Sequence, residues 1–160
     1  MTEPTEILIR KATLKDLPEI QQLSNDLITS DAQFDQGLKK EWSFSEDGKK
    51  YLTSRIKGRK GTCFVAESKG KIVGYLTGGI RRFEKWRPFK RAELDNIFIQ
   101  AGFRSQGIGK ELIGKYLDWC QSKGVERVFL HAVDANQRAR KFYKTHGFHE
   151  QHIILEKNLK

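Results

Sequence analysis

The spacing of apolar residues changes period several times along the chain, and each change marks an element. "EILIRKAT" alternates apolar and polar positions, which predicts a first strand. Thr13, with Asp16 three residues on, then resembles an N-terminal cap for a helix. Leu14, Leu17, Ile20, Leu23 and Leu27 follow at intervals of three or four, the pattern of an amphipathic helix. Ser45 is placed to cap a second, short helix through Tyr51, Leu52 and Ile56. "GTCFVAESKGKIVGYLTGGI" reads as a hairpin, two apolar β-branched runs about the turn "SKGK", and "RAELDNIFIQ" as the next strand. A third helix gathers Ile108, Leu112, Ile113, Tyr116, Leu117 and Cys120 on one face and ends near Gly124. "RVFLHAV" has the composition of a buried strand. "NQRARKFYKTHGF" is a helix running from a capping residue to Gly147, and "FHEQHIILEKNL" is a last strand.

Strands alternating with helices after a central meander imply a mixed α/β sheet rather than a bundle or a barrel. No repeat, linker or low-complexity run divides the chain. Its 160 residues, 38% of them hydrophobic, suffice for one domain spanning 1–160 with a core of its own. Cys63 and Cys120 form no CxxC pair, so two buried reduced thiols are expected instead of a disulfide framework or a zinc site. His131, His146, His149 and His152 show no HExxH spacing, and no metal is expected. "MTEPTEILIR" lacks a basic region followed by a long apolar run, and nowhere do 18 apolar residues follow one another. A soluble, cytoplasmic protein without a membrane partner is therefore expected. The formal charge of +10 favours an anionic partner without naming it.

The junction "RSQGIGK", residues 104–110, narrows that choice. It joins a strand to a helix, and the first amides of a helix have no partners inside it. Glycines at 107 and 109 would let a phosphate approach the backbone, while Arg104 and Lys110 add positive charge. The run is neither GxxxxGK[ST] nor GxGxxG; it fits RxxGxG. A tight turn packed against a neighbour would also use two glycines.

"ELDNIFIQAGFRSQGIGKELI" together with "NQRARKFYKTHGF" resembles the GNAT superfamily of acetyl-CoA-dependent N-acetyltransferases. The hairpin "FVAESKGKIVGYLTG" lies upstream of both, in the family's order, and the resemblance covers roughly residues 5–157. It implies an α+β fold with a central, mostly antiparallel mixed sheet flanked by helices. It further implies that backbone amides of Arg104, Ser105, Gln106, Gly107, Ile108, Gly109 and Lys110 hold the pyrophosphate of acetyl-CoA. Ile97, Phe98 and Ile99 would offer main-chain groups to the pantetheine arm and acetyl carbonyl, with an amide near Phe98 polarising the carbonyl. Asn136 would touch the cofactor, cap its helix, or both; Tyr143 would lie near the thioester sulfur. "QAGF" stands where the family more often has proline before the loop, and Gln106 where it often has glycine or a basic residue.

Attack of an amine on a thioester needs a neutral nucleophile, a stabilised oxyanion and a protonated leaving thiolate. Tyr143 is the candidate acid and Glu93 the candidate base, acting directly or through water. A core aromatic and a salt-bridged carboxylate are the alternative readings of those two positions. Phe34 and Trp42 are core fillers or pocket walls, and Asp35 and Asp95 could recognise a cationic amine. The acceptor would be a small-molecule amine, a lysine side chain or a peptide amino terminus. "RRFEKWRPFKR", residues 81–91, is a connection anchored by Trp86 and Phe89, a wall of the acceptor pocket, or a grip for nucleic acid. The competing functions are a non-catalytic acyl-CoA-binding module and a basic nucleic-acid-binding domain, although nucleic acid is not the expected partner. A homodimer is compatible with the resemblance.

Overall fold

The computed structural model describes residues 5–160. Its sheet is built from β1 (Ile7–Lys11), β2 (Gly61–Ser68), β3 (Lys71–Ile80), β4 (Arg91–Ile99) and β5 (Arg127–Phe129). The helices are α1 (Leu17–Asp31), α2 (Glu46–Lys57), α3 (Ile108–Ser122) and α4 (Gln137–Thr145). The strands lie in chain order, antiparallel except for the parallel pair β4 and β5. This is the mostly antiparallel mixed sheet expected from the sequence.

Both faces of the sheet are covered, which is why β2 and β3 read as nearly continuous apolar runs. Phe64, Ala66, Val73 and Leu76 pack with Ile108, Leu112, Ile113 and Tyr116 of α3. Cys63, Val65, Ile72 and Tyr75 pack with Leu17, Ile20 and Leu23 of α1 and Leu52 of α2. Lys69 and Gly70 both take left-handed backbone at the β2–β3 turn, the form whose twist suits adjoining strands. The caps follow the sequence pattern: Gly48 N–H donates to Ser45 Oγ at 3.1 Å, and Ala139 N–H to Asn136 Oδ1 at 3.1 Å. Cys63 and Cys120 are buried free thiols.

Two strand expectations at the C-terminal end are overturned. "RVFLHAV" pairs only over Arg127–Phe129, because β4 turns away beyond Glu93 and leaves the next residues without a neighbour. "FHEQHIILEKNL" forms no strand; residues 148–160 have no regular structure, and Ile153, Ile154, Leu155 and Leu159 are 70–90% exposed. Alternation makes a segment amphipathic, but a strand also needs an adjacent row of main-chain partners.

Asp16 fastens β1 to α1. Its carboxylate accepts two hydrogen bonds from Arg10, at 2.8 and 2.9 Å, and one from Thr13 N–H at 2.7 Å. The hydrogen-bonded Arg10 guanidinium lowers the Asp16 pKa to about 2, against the opposing effect of burial. A depressed carboxylate pKa stabilises the fold above the unfolded value and loses that contribution as pH falls through the folded value. Asp16→Asn should therefore flatten the fall in stability between about pH 5 and pH 2, and cost roughly 2 kcal/mol at neutral pH. Urea titrations at stepped pH read both effects, and parallel acid limbs in the two proteins would remove Asp16 from the account.

Candidate functional site

The site begins where β4 loses one of its neighbours. β4 and β5 pair from Arg91↔Arg127 to Glu93↔Phe129, and no further. β4 continues to Ile99 with β3 alone, through a bulge in which Asp95 is the extra residue between the Leu94↔Gly78 and Asn96↔Thr77 pairs. Gln100 N–H donates to Val73 O at 2.9 Å, which sets the alternation along the antiparallel pair. Asn96 and Phe98 spend their main-chain groups on β3, while Ile97 and Ile99 turn theirs into the gap. The amide near Phe98 expected to act on the carbonyl is thus engaged by Tyr75, and its neighbours Ile97 and Ile99 are the ones that face the opening. Ile99 O already accepts Arg104 Nε at 2.8 Å.

The junction loop lies at the far end of β4. Ser105 and Gly107 both have left-handed backbone, φ 60° and 82°, and a Cβ at Gly107 would project into open space. Arg104 N–H is directed at Ala101 O, 3.4 Å away. Among the described residues no protein acceptor meets the amides of Ser105 through Lys110. Six donors therefore stand without a protein partner at the positive end of α3. Arg104 and Arg138 are near enough that the second lowers the first's pKa, after burial.

Gly109 has a different part from Gly107. A Cβ there would stand 2.8 Å from the Phe142 ring, so this glycine seats α4 against α3. Phe142 fixes the orientation of Tyr143, its ring 5.4 Å away, and Phe148 covers the other side at 5.9 Å. Burial, and next the carboxylate of Asp31, push the Tyr143 hydroxyl up to about 12. α1 packs on the opposite face of the sheet from α3 and α4, so the Asp31 charge bears on Tyr143 from the other face.

The two acids of β4 are tied into a network. Glu93 accepts Arg81 Nε at 2.6 Å through Oε2, and its Oε1 lies 3.0 Å from His131 Nδ1. Asp95 accepts Tyr51 Oη and Arg55 Nε at 2.7 Å and Arg81 at 2.8 Å. Tyr116 Oη donates to Glu93 O at 2.6 Å from the α3 side, pinning the backbone beside the bulge. Trp42 packs on Tyr51, rings 5.7 Å apart, and so joins the network indirectly. Phe34 is half-buried just beyond α1, whereas exposed Asp35 accepts Gly37 N–H and closes its own turn.

Trp86 does not anchor the 81–91 connection; it is 70% exposed and Phe83 61%, with Arg87 lying over the Trp86 indole. Phe89 is held by Arg127 at 4.0 Å. Sequence reasoning missed Arg81, Arg55, Asp31 and His131. Their signal was only positional, since each comes from a different element and only folding brings them to β4. Among the described residues no His, Cys, Asp and Glu group could hold a metal ion, and no helix is long and apolar enough to cross a membrane.

A family profile described as the acetyltransferase (GNAT) family matches residues 25–148. An uncharacterised N-acetyltransferase of Methanocaldococcus jannaschii is 33% identical over 91 residues, which are 57% of this chain and 40% of that protein. N-acetyltransferase 8 of Homo sapiens is 32% identical over 105 residues, 65% of this chain and 44% of that one. The chain thus spans less than half the length of these two relatives. Among solved structures, aminoglycoside N-acetyltransferase AAC(6')-Iy in complex with CoA superposes with a TM-score of 0.75 at 19% identity, covering 100% of this chain and 99% of that one.

Gly109→Ala tests the seating of α4. The added methyl should cost about 1–3 kcal/mol by displacing the Phe142 ring. Combined with Phe142→Leu, the penalty should be smaller than the sum of the single losses. Additive losses in thermal unfolding would mean that the two residues do not press on one another.

Proposed function

The chain belongs to the GNAT acetyltransferase family, and from that membership we propose that it moves the acetyl group of acetyl-CoA directly to a primary amine. The observation that carries the proposal is the gap between β4 and β5 ending in six unpaired amides at the start of α3. A pyrophosphate needs several convergent donors without bulky side chains over them, and the backbone from Ser105 to Lys110 fits that need. Arg104 and Arg138 supply charge at its flank. The Ile97 and Ile99 main chains run beside the pantetheine arm as an extra strand would, and Ile97 N–H is the donor for the acetyl oxygen. Asn136 caps α4 with Oδ1 and keeps its amide nitrogen for the cofactor.

Tyr143 donates a proton to the departing thiolate; a hydroxyl with a pKa near 12 is fully protonated at neutral pH, as a donor must be. Glu93 takes the proton of the acceptor ammonium, directly or through one water. His131, 65% exposed on its side chain, offers a way onward from Glu93 to solvent. Asp95 holds Tyr51, Arg55 and Arg81 in place, so its part is positioning. Phe34 and Trp42 form the acceptor side, Trp42 against Tyr51 of the carboxylate network. Two similar proteins are named for an aminoglycoside and for thialysine, both of which present primary amines, and the reading takes a small-molecule or lysine-like amine as the acceptor class.

Calorimetric titration with acetyl-CoA, desulfo-CoA and ATP comes first, followed by a panel of primary amines scored by thiol release. Saturable binding of both CoA compounds, but not ATP, together with amine-dependent release, is the expected result. Absence of heat with either CoA compound would sink the proposal. Tyr143→Phe should lower kcat roughly 10²-fold with the KM for acetyl-CoA nearly unchanged. Gly107→Val, by contrast, should weaken acetyl-CoA binding about tenfold or more, because a β-branched residue strains the left-handed backbone on which the loop amides depend.

A further inference from the structure

Beyond Arg81, the connection between β3 and β4 carries charge and aromatic surface that the proposed reaction does not use. Arg87 N–H donates to Glu84 O at 2.8 Å and closes a turn with Lys85 and Trp86 at its tip. Arg91 holds the Glu84 carboxylate at 3.0 Å, so the base of the turn is fastened. An anchor would have hidden the Trp86 ring, but Trp86 and Phe83 both stand in water. Arg87 lies over the Trp86 indole at 4.4 Å, and its Nε is buried without a hydrogen-bond partner. Stacking on the indole therefore holds that guanidinium in place.

Two further basic connections lie beside this one at the same end of the sheet. Ile80 N–H donates to Lys60 O at 2.7 Å, which brings Arg59 and Lys60, just before β2, against its start. Glu126 N–H and Arg127 N–H are directed at Lys90 O, 2.9 and 3.3 Å away, which brings the approach to β5 against its end. Arg127 covers the Phe89 ring at 4.0 Å and Arg91 the Phe129 ring at 4.8 Å, so guanidinium and aromatic planes lie together here as they do at Trp86. The acids of these connections are engaged, Glu84 by Arg91 and Glu126 by the Lys90 amide at 2.9 Å. Among the described residues no carboxylate meets Arg59, Lys60, Arg82, Lys85 or Arg87. Because β2 to β5 are successive neighbours, the three connections span about 15 Å.

We propose that this end of the sheet binds single-stranded nucleic acid, with phosphates on Arg59, Lys60, Arg82 and Lys85 and an unstacked base against Trp86 or Phe83. A basic surface alone would accept any polyanion. The two exposed rings narrow the choice, because an aromatic face is matched by a flat, unpaired base, which a duplex hides within its stack and a purely acidic polypeptide lacks. The surface is separate from the amides of Ser105 to Lys110, since β4 runs nine residues, about 26 Å, between the two. The proposal goes beyond acetyl transfer and stands or falls without it.

Fluorescence anisotropy of a labelled strand of about 12 nucleotides, titrated with the full chain, should show saturable binding, and the duplex of the same sequence weaker binding. With three or four phosphates engaged, log K should fall with log salt at a slope of about −2 to −3. Phe83→Ala with Trp86→Ala should weaken binding of the strand roughly tenfold or more and leave that slope unchanged, whereas Arg82→Gln with Lys85→Gln should reduce the slope by about 1.4. All four side chains are exposed, so both double variants should keep the circular dichroism spectrum of the unaltered protein. Saturating CoA should leave the strand bound; displacement by CoA would put the strand on the loop amides and overturn the proposal. No binding of the strand at about 50 mM salt would overturn it as well. Equal affinity for strand and duplex, with no effect of the ring variant, would reduce the surface to charge alone and have the same consequence. Vesicles of phosphatidylglycerol and phosphatidylcholine serve as the rival anionic surface: ring-dependent binding to them without binding of the strand would assign this end of the sheet to a membrane instead.

Discussion

The parting of β4 from β5 is the constraint on which the rest of the site depends. A parallel pair that ends after Glu93↔Phe129 leaves half of β4 with one neighbour, and main-chain groups without partners are costly unless solvent or a ligand reaches them. The fold clamps that half strand at the branch point. Tyr116 holds the Glu93 carbonyl from one face, and Arg81, Arg55 and Tyr51 hold the Glu93 and Asp95 carboxylates from the other. Glu93 and Asp95, two residues apart, face that network together by ordinary strand alternation, and the bulge falls at the second of them.

Two carboxylates this close would repel one another if they were left alone. Arg81 bridges them and Arg55 supplies a second cation, so the cluster is closer to neutral than the acids alone would make it. Such a cluster is intolerant of losing one member, since the remaining charge would stay half-buried without a partner. Its value is therefore conformational: it fixes where β4 stops pairing. The opposite end of β4 has the reverse character, six unpaired amides with Arg104 and Arg138 nearby. A ligand with an anionic group at one end and an acyl group further along would meet these two ends in turn, which is the shape the proposed co-substrate has.

Much of this was legible in the sequence because it is local. The changes of period located every helix and the hairpin, Ser45 and Asn136 capped the helices they precede, and "RSQGIGK" marked the loop with the unpaired amides. Gly109 was misread in part, since spacing cannot tell a glycine that admits a ligand from one that admits the Phe142 ring. The bulge at Asp95 and the Arg81 bridge were not legible, because register and long-range ion pairs depend on which strands meet. Trp86 and the tail failed for the same reason in reverse: apolar character was read as burial, and both stand in water.

Tyr143 shows how the two faces of the sheet come to act together. It belongs to α4, seated on α3 by the contact of Phe142 with Gly109, yet the carboxylate that bears on its hydroxyl is Asp31 at the end of α1 on the other face. A buried hydroxyl beside a carboxylate is held protonated, since both desolvation and the neighbouring charge oppose a phenolate. A phenol is already protonated at neutral pH, so burial first, and the Asp31 charge next, only deepen the state that the proposed acid needs. Backbone topology, rather than any cluster of residues adjacent in sequence, assembles the chemistry.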